Sequence, residues 1–201
     1  MADNNGVSMS NTPQARDDVW SVAEDDATTF ISIAALLAND LGGNAKSFYG
    51  INQSNPLLPS MTAQSALGAT LSVSSGNIVY TPGNLFQYLA HGATATDTFQ
   101  YAIQLGNGTI SIAKVTVTIT GANDAPVVTV EDLQGAVTEL TTAPSGNLTD
   151  SGSIGFSDLD LADVHSLSAV TSSAGALGTL TVTLASDTTG TGTGGKIDWA
   201  Y

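Results

Sequence analysis

The chain has 201 residues and a formal net charge of −14, with four Lys and Arg residues against 18 Asp and Glu residues. This balance argues against nucleic-acid binding, and the absence of cysteine excludes disulfides, thiolate zinc sites and cysteine nucleophiles. No apolar run is long enough to cross a bilayer and no secretory signal is visible at the amino terminus, so we expect no membrane insertion.

Small and β-branched residues dominate the composition, and turn residues recur at short intervals, which is typical of short strands. In chain order, residues 1–16 are predicted to be a flexible leader. Helical turns are expected at 34–38 and 85–90. Strands are predicted in this half of the chain at 17–22, 28–33, 46–52, 67–73, 77–81, 99–105 and 109–120. Strands and turns at this spacing favour a Greek-key sandwich.

The last of these strands changes the parity of its apolar residues. Ile110 and Ile112 share one face, whereas Val115 and Val117 have the opposite parity. A slip of one residue near 113–114 would let both halves face the core. We therefore predict a β-bulge there.

An acidic joint follows this strand. Residues 121–126 read GANDAP, and a new apolar strand begins at Val127. Pro126 fixes φ and ends ladder pairing, so we predict two all-β domains, at 17–124 and 125–201. Strands of the second domain are expected at 127–130, 152–156, 166–171, 178–184 and 196–201. Because the chain stops within an alternating strand, we expect an incomplete second sandwich cut from a longer repeat array.

Clustered acidic residues mark two candidate metal sites. Asp158 and Asp160 lie at i and i+2, on one side of an extended backbone, and Asp163 follows after a bend. Carboxylates this close repel one another unless a cation lies among them. A solvated acidic turn is the alternative.

The second candidate site lies at the domain joint. The first strand's far end and the last strand's far end meet at one pole of a sandwich with an odd number of strands. Acidic groups at these two ends would then form a calcium cage, although ordinary turn residues would read the same way. The predicted ligands are Glu24, Asp25, Asp26, Asp97, Asn123 and Asp124.

Catalytic chemistry has little support in the sequence. The two histidines, His91 and His165, are not accompanied by a Gly-x-Ser-x-Gly nucleophile elbow, so we expect no enzymatic activity. Most aromatic residues fall on alternating apolar faces, which favours core packing over a sugar-stacking platform. Tyr49 and Tyr88 are the least committed to a core.

Several motifs are recognisable as a set. They are residues 17–26, 36–47 (LLANDLGGNAKS), 95–99, 121–127, 147–158 (NLTDSGSIGFSD), 163–166 (DVHS), 177–180 and 195–199. Together they resemble bacterial cadherin-like and VCBS repeats of giant RTX-type surface adhesins, over about residues 15–201. One departure is the loop after Asp40, which reads LGGN in place of an aspartate-rich run, so no calcium site is expected in that loop.

The resemblance implies tandem immunoglobulin/cadherin-like sandwiches that are exported by a type I system and rigidified by Ca2+ at their joints. It implies an extracellular or cell-surface location, neighbouring repeat domains as partners, and a role in cell adhesion and biofilm. We therefore expect a non-enzymatic, calcium-stabilised structural module of an adhesin, with a polysaccharide or a cell-surface target as a further partner. The alternatives are an exopolysaccharide-binding module and a spacer domain of a large secreted enzyme.

Overall fold

The computed structural model describes residues 14–51, 58, 60–137, 148–171 and 173–201. Residues 1–13 of the predicted leader lie outside this set. The predicted all-β class is confirmed, since helix among the described residues is limited to α1 (Ile33–Leu36) and a 3-10 turn at Gly43–Ala45. The chain divides into two compact units, which are described separately. Unit 1 contains Met1–Phe86 and Thr94–Ile119, and unit 2 contains Gln87–Ala93 and Thr120–Tyr201.

Unit 1 is a β-sandwich. Its described strands are β1 (Asp18–Ala23), β2 (Thr29–Ser32), β3 (Ser47–Ile51), β4 (Thr62–Gln64), β5 (Thr70–Ser74), β6 (Asn77–Thr81), β7 (Thr94–Gln104) and β8 (Ile110–Thr120). One sheet has the order β1-β8-β7-β3 and the other has the order β2-β6-β5-β4. The sequence predicted every described strand of unit 1 except β4. The helical turn predicted at 85–90 is wrong, because residues 83–88 form turns and 89–90 have no regular structure.

The core of unit 1 follows from the alternation of its strands. On β7, Phe99, Tyr101 and Ile103 are fully buried, and on β6 the same holds for Ile78 and Tyr80. Successive side chains of a strand point to opposite faces, so these residues form one inner layer on each strand. Burial of large apolar side chains is the main source of stability in such a sandwich.

Strand β8 keeps a single parity along its length, so the predicted slip near 113–114 is wrong. Ile112 is 38% exposed, while the inner face carries Ser111, Ala113, Val115, Val117 and Ile119. The reason lies in the chain that precedes β1. The backbone N–H groups of Gln14 and Ala15 both donate to Ser111 Oγ, at 2.9 Å each. Small residues on β8 accommodate this segment, which the sequence had assigned to the end of the leader.

Unit 2 contains one four-stranded sheet in its described residues. The strands are β9 (Val127–Glu131), β10 (Ser151–Ser157), β11 (Thr181–Ser186) and β12 (Gly195–Ala200), in the antiparallel order β11-β12-β10-β9. The predicted strand at 166–171 is wrong, because this stretch has no regular secondary structure. Its apolar residues Leu167 and Val170 remain 37% and 46% exposed.

Aromatic rings in unit 2 lie directly over glycines. A Cβ added at Gly195 would lie 2.6 Å from the ring of Phe156, its partner across the β10–β12 pair. A Cβ at Gly152 would lie 2.5 Å from the ring of its partner Trp199. These two positions therefore need glycine because the rings approach the backbone too closely for any side chain.

Candidate metal-binding residues

The acidic loop after β10 is closed by its own hydrogen bonds. Asp158 and Asp160 are 2% and 0% exposed. The Asp160 N–H donates to Asp158 Oδ1 at 2.9 Å, and the Asp163 N–H donates to the Asp160 carbonyl at 3.1 Å. The i, i+2 spacing thus orients Asp158 toward the backbone of its own loop. This loop differs from the extended arrangement predicted from the sequence.

Asp124 lies beside this loop, within unit 2. Its backbone N–H donates to Asp160 Oδ2 at 2.8 Å, and carboxylate oxygens of the two residues lie within 4.8 Å of each other. Two unit charges at that distance repel by about 3.5 kcal/mol at an effective dielectric constant of about 20. A divalent cation would reverse the sign of this interaction. The sequence had placed Asp124 and Asp160 in two separate sites.

Asn123 precedes Asp124 in the joint. Its side-chain Nδ2 donates to the Asp124 carbonyl at 2.9 Å, and this bond is exposed. The side-chain oxygen of Asn123 is the atom that would serve as a ligand, because a hard cation binds amide oxygens and not amide nitrogens.

His165 lies between two carboxylates of unit 2. Its Nε2 is 2.9 Å from Asp158 Oδ2, and its Nδ1 is 2.6 Å from Asp187 Oδ1. The hydrogen bond to Asp187, followed by the bond to Asp158, raises the pKa of His165 above its ordinary 6.5. In return, the hydrogen bond from the His165 backbone N–H is the main cause that lowers the pKa of Asp187 to about 2. The sequence indicated only a lone surface or core-edge histidine here.

The acidic turn after β1 belongs to unit 1. Glu24 is 2% exposed, whereas Asp25 is exposed. Asp26 closes the turn itself, since its Oδ2 accepts a hydrogen bond from the Ala23 N–H at 3.1 Å. Of the three residues predicted as ligands in this turn, Asp26 therefore also has a local structural role.

Asp97 lies in the core of unit 1 and is 1% exposed. Its Oδ2 accepts a hydrogen bond from the Tyr80 hydroxyl at 2.8 Å. Its Oδ1 accepts from the N–H groups of Leu67 and Thr98 at 2.9 and 2.7 Å. Both oxygens of this predicted ligand are thus hydrogen-bonded within unit 1. Burial and the bond to Asp97 together raise the pKa of Tyr80.

A further buried carboxylate in unit 1 escaped the sequence reasoning. Asp40 is 6% exposed and its Oδ1 accepts a hydrogen bond from the Arg16 N–H at 2.7 Å. The Tyr101 hydroxyl lies 2.9 Å from Asp18 Oδ2 and 3.1 Å from Asp40 Oδ2. Burial is the main cause that raises the pKa of Asp18. The only sequence signal was the Asn39-Asp40 pair, which reads as ordinary loop chemistry.

Unit 2 also has an apolar concavity of about 540 Å³. Its apolar lining comes mainly from Leu133, Val137, Ile154, Leu180, Val182, Trp199 and Tyr201. Asp150 at its edge already accepts a hydrogen bond from the Ala136 N–H, at 2.6 Å. The concavity is therefore suited to apolar or aromatic contacts more than to ionic ones.

Residues 10–118, more than half of the chain, match the family model described as bacterial Ig domain. Among solved structures, the chain is similar to Drosophila N-cadherin EC1-4, with 14% sequence identity and a TM-score of 0.39. That alignment covers 90% of this chain and 38% of the cadherin chain. No curated protein sequence matches significantly. Within the described residues, every helix is too short or too polar to cross a membrane.

Proposed function

Because the chain belongs to the bacterial Ig domain family, we propose that it is a calcium-stabilised structural repeat module of a bacterial secreted or surface adhesin. The proposal includes the VCBS-type and RTX-type relationship, an extracellular or surface location and a non-enzymatic role. The observation that carries it is the approach of the Asp124 carboxylate to that of Asp160, across 36 residues of sequence.

A bound calcium ion would offset the repulsion between the two adjacent carboxylates. Ca2+ takes six to eight oxygen ligands at about 2.3–2.6 Å, and it tolerates irregular geometry. Asp124 and Asp160 offer such oxygens from one unit. Glu24, Asp25 and Asn123 remain proposed ligands from the sequence, whereas Asp97 and Asp26 already accept hydrogen bonds within unit 1.

Stabilisation by the ion follows from linkage. A cation that binds only the ordered 121–126 segment and its neighbouring loop adds RT ln(1 + [L]/Kd), or about 2.7 kcal/mol at a concentration 100 times Kd. In a calcium-poor cytoplasm the ion would add little to the stability of the segment, whereas outside the cell it would add the full binding free energy. The module would thus stiffen after export.

Isothermal titration of the whole chain with CaCl2 tests the proposal. We expect heat from the parent chain, and loss of that heat in Asp124→Ala, because the substitution removes one of the two adjacent carboxylates. Asp198→Ala is the matched control, since Asp198 pairs with Lys196 at 2.7 Å on the sheet of unit 2. A parent chain that gives no calcium heat, or an Asp124→Ala titration equal to that of the parent, would reject the proposed site.

A second candidate function is exopolysaccharide binding. The observation that favours it is the pair Trp199 and Tyr201 on the lining of the concavity, with Tyr201 39% exposed. Aromatic side chains with an accessible face are suited to stacking on sugar rings. A glycan array probed with the parent chain and with Tyr201→Ala tests this function. Binding by the parent that is lost in the variant would support it, and no binding by the parent would reject it.

A further inference from the structure

His165 is held by three hydrogen bonds to two carboxylates. Besides its ring contacts with Asp158 and Asp187, its backbone N–H donates to Asp187 Oδ2 at 2.9 Å. The ring also packs edge-on against Phe156, with centroids 5.1 Å apart and an interplanar angle of 68°. The position of the imidazole is thus fixed from several sides.

Each ring nitrogen of His165 has a carboxylate oxygen as its partner. An ionised carboxylate only accepts hydrogen bonds, so a ring nitrogen that bonds to one must carry a hydrogen. Both ring nitrogens of His165 face aspartates, so a ring that is protonated on both can donate to Asp158 and Asp187 at once. A neutral imidazole has one donor and could satisfy only one of the two aspartates.

A chain of contacts leads from this ring to the candidate metal ligands. Asp158 uses Oδ2 for His165 and Oδ1 for the Asp160 N–H. Asp160 in turn accepts the Asp124 N–H. Both oxygens of Asp158 are therefore engaged in holding the loop, while Asp160 carries its carboxylate to Asp124.

We propose that His165 is a positioning residue, which ties Asp158 to Asp187 and thereby holds the Asp160 carboxylate in place for a divalent cation. This inference rests on the proposed calcium function. The two aspartates of the acidic loop then have different roles, since Asp158 orients the loop and Asp160 binds the ion. Groups that hydrogen-bond directly to a metal ligand typically contribute about 10–100-fold to metal affinity, and His165 acts one residue further away, through Asp158, so we expect an effect near the lower end.

The test compares His165→Gln with the matched control His91→Gln, at the exposed second histidine. Glutamine has one amide group and cannot donate to both aspartates in the geometry of the ring. We expect calcium affinity in isothermal titration to fall by about tenfold in His165→Gln and to stay at the parent value in His91→Gln. Asp187→Asn, which removes the charge and one of the two accepting oxygens of this partner and leaves Asp158 in place, should give a smaller loss in the same direction.

A second measurement separates positioning from general loss of stability. The unfolding midpoint of each variant is measured in EDTA and in saturating calcium, and the rise on adding calcium is compared. A positioning role predicts a smaller rise in His165→Gln than in the parent. A rise equal to that of the parent, with equal calcium affinity, would overturn the inference and leave the calcium function standing. A parent chain with no rise at all would overturn the calcium function and the inference with it.

Discussion

Replacing Tyr80 by Phe removes one hydroxyl from the core of unit 1. This hydroxyl donates to Asp97 Oδ2 at 2.8 Å, and Tyr80 and Asp97 are 0% and 1% exposed. Both backbone bonds to Asp97 go to Oδ1, so they do not compensate at Oδ2. Loss of a hydrogen bond to a charged acceptor costs about 1.5–3 kcal/mol. For a domain of roughly 100 residues, this lowers the unfolding midpoint by about 6–12 °C.

The assay is urea and thermal unfolding of the whole chain, followed by NMR amide signals of unit 1, in EDTA and in calcium. Tyr88→Phe is the control, because it makes the same chemical change at a ring that is 45% exposed. The difference between parent and Tyr80→Phe should be the same with and without calcium, since Asp97 acts here through hydrogen bonds. A loss below about 0.5 kcal/mol, or one that occurs only in calcium, would refute the reasoning.

Two further predictions concern unit 2. The ring of His165 should titrate with an NMR midpoint above its ordinary 6.5, because Asp187 and Asp158 stabilise the imidazolium. Because the pKa of His165 is higher in the folded state than in the unfolded state, its bonds to the aspartates stabilise the fold fully below about pH 6.5 and are lost as the pH rises through the folded pKa. A free energy of unfolding in EDTA that falls toward low pH across this range would contradict this prediction. Gly195→Ala should destabilise unit 2 by about 1–3 kcal/mol in urea unfolding, because the new methyl would lie 2.6 Å from the Phe156 ring. Adding Phe156→Leu should restore part of that loss, and an undiminished deficit in the double variant would count against the ring contact as its cause.

The strands were largely predictable because their signal is local. Alternation on β7 and the turn residues after β5 are written in a few consecutive positions, and the structure follows them. The turn at Ser75 and Gly76 has φ of 49° and 77°, as a two-residue hairpin with positive φ requires. The pattern on β8 led to a wrong prediction of a bulge, because Ser111 binds a segment almost 100 residues earlier in the sequence.

The acidic residues were harder to assign, since their identity says nothing about which one turns inward. Asp97 and Asp160 look alike in the sequence, yet Asp97 accepts three hydrogen bonds in unit 1, whereas Asp160 lies next to Asp124. The proximity of Asp124 and Asp160 depends on how a 36-residue stretch folds back, which no local pattern encodes. The hydrogen bonds of His165 were equally hard to predict, because its second aspartate partner, Asp187, lies 22 positions further along the chain.

The bare glycines under Phe156 and Trp199 have a consequence for strand pairing. If β12 shifted by two residues against β10, Phe156 would meet a residue with a Cβ, such as Ile197, where the observed pairing offers none. Each ring therefore fits only the strand register that places it opposite its glycine. A shifted register would create steric clashes at both rings. A strand from any other source could replace β12 in this sheet only if it carried glycines at the same spacing.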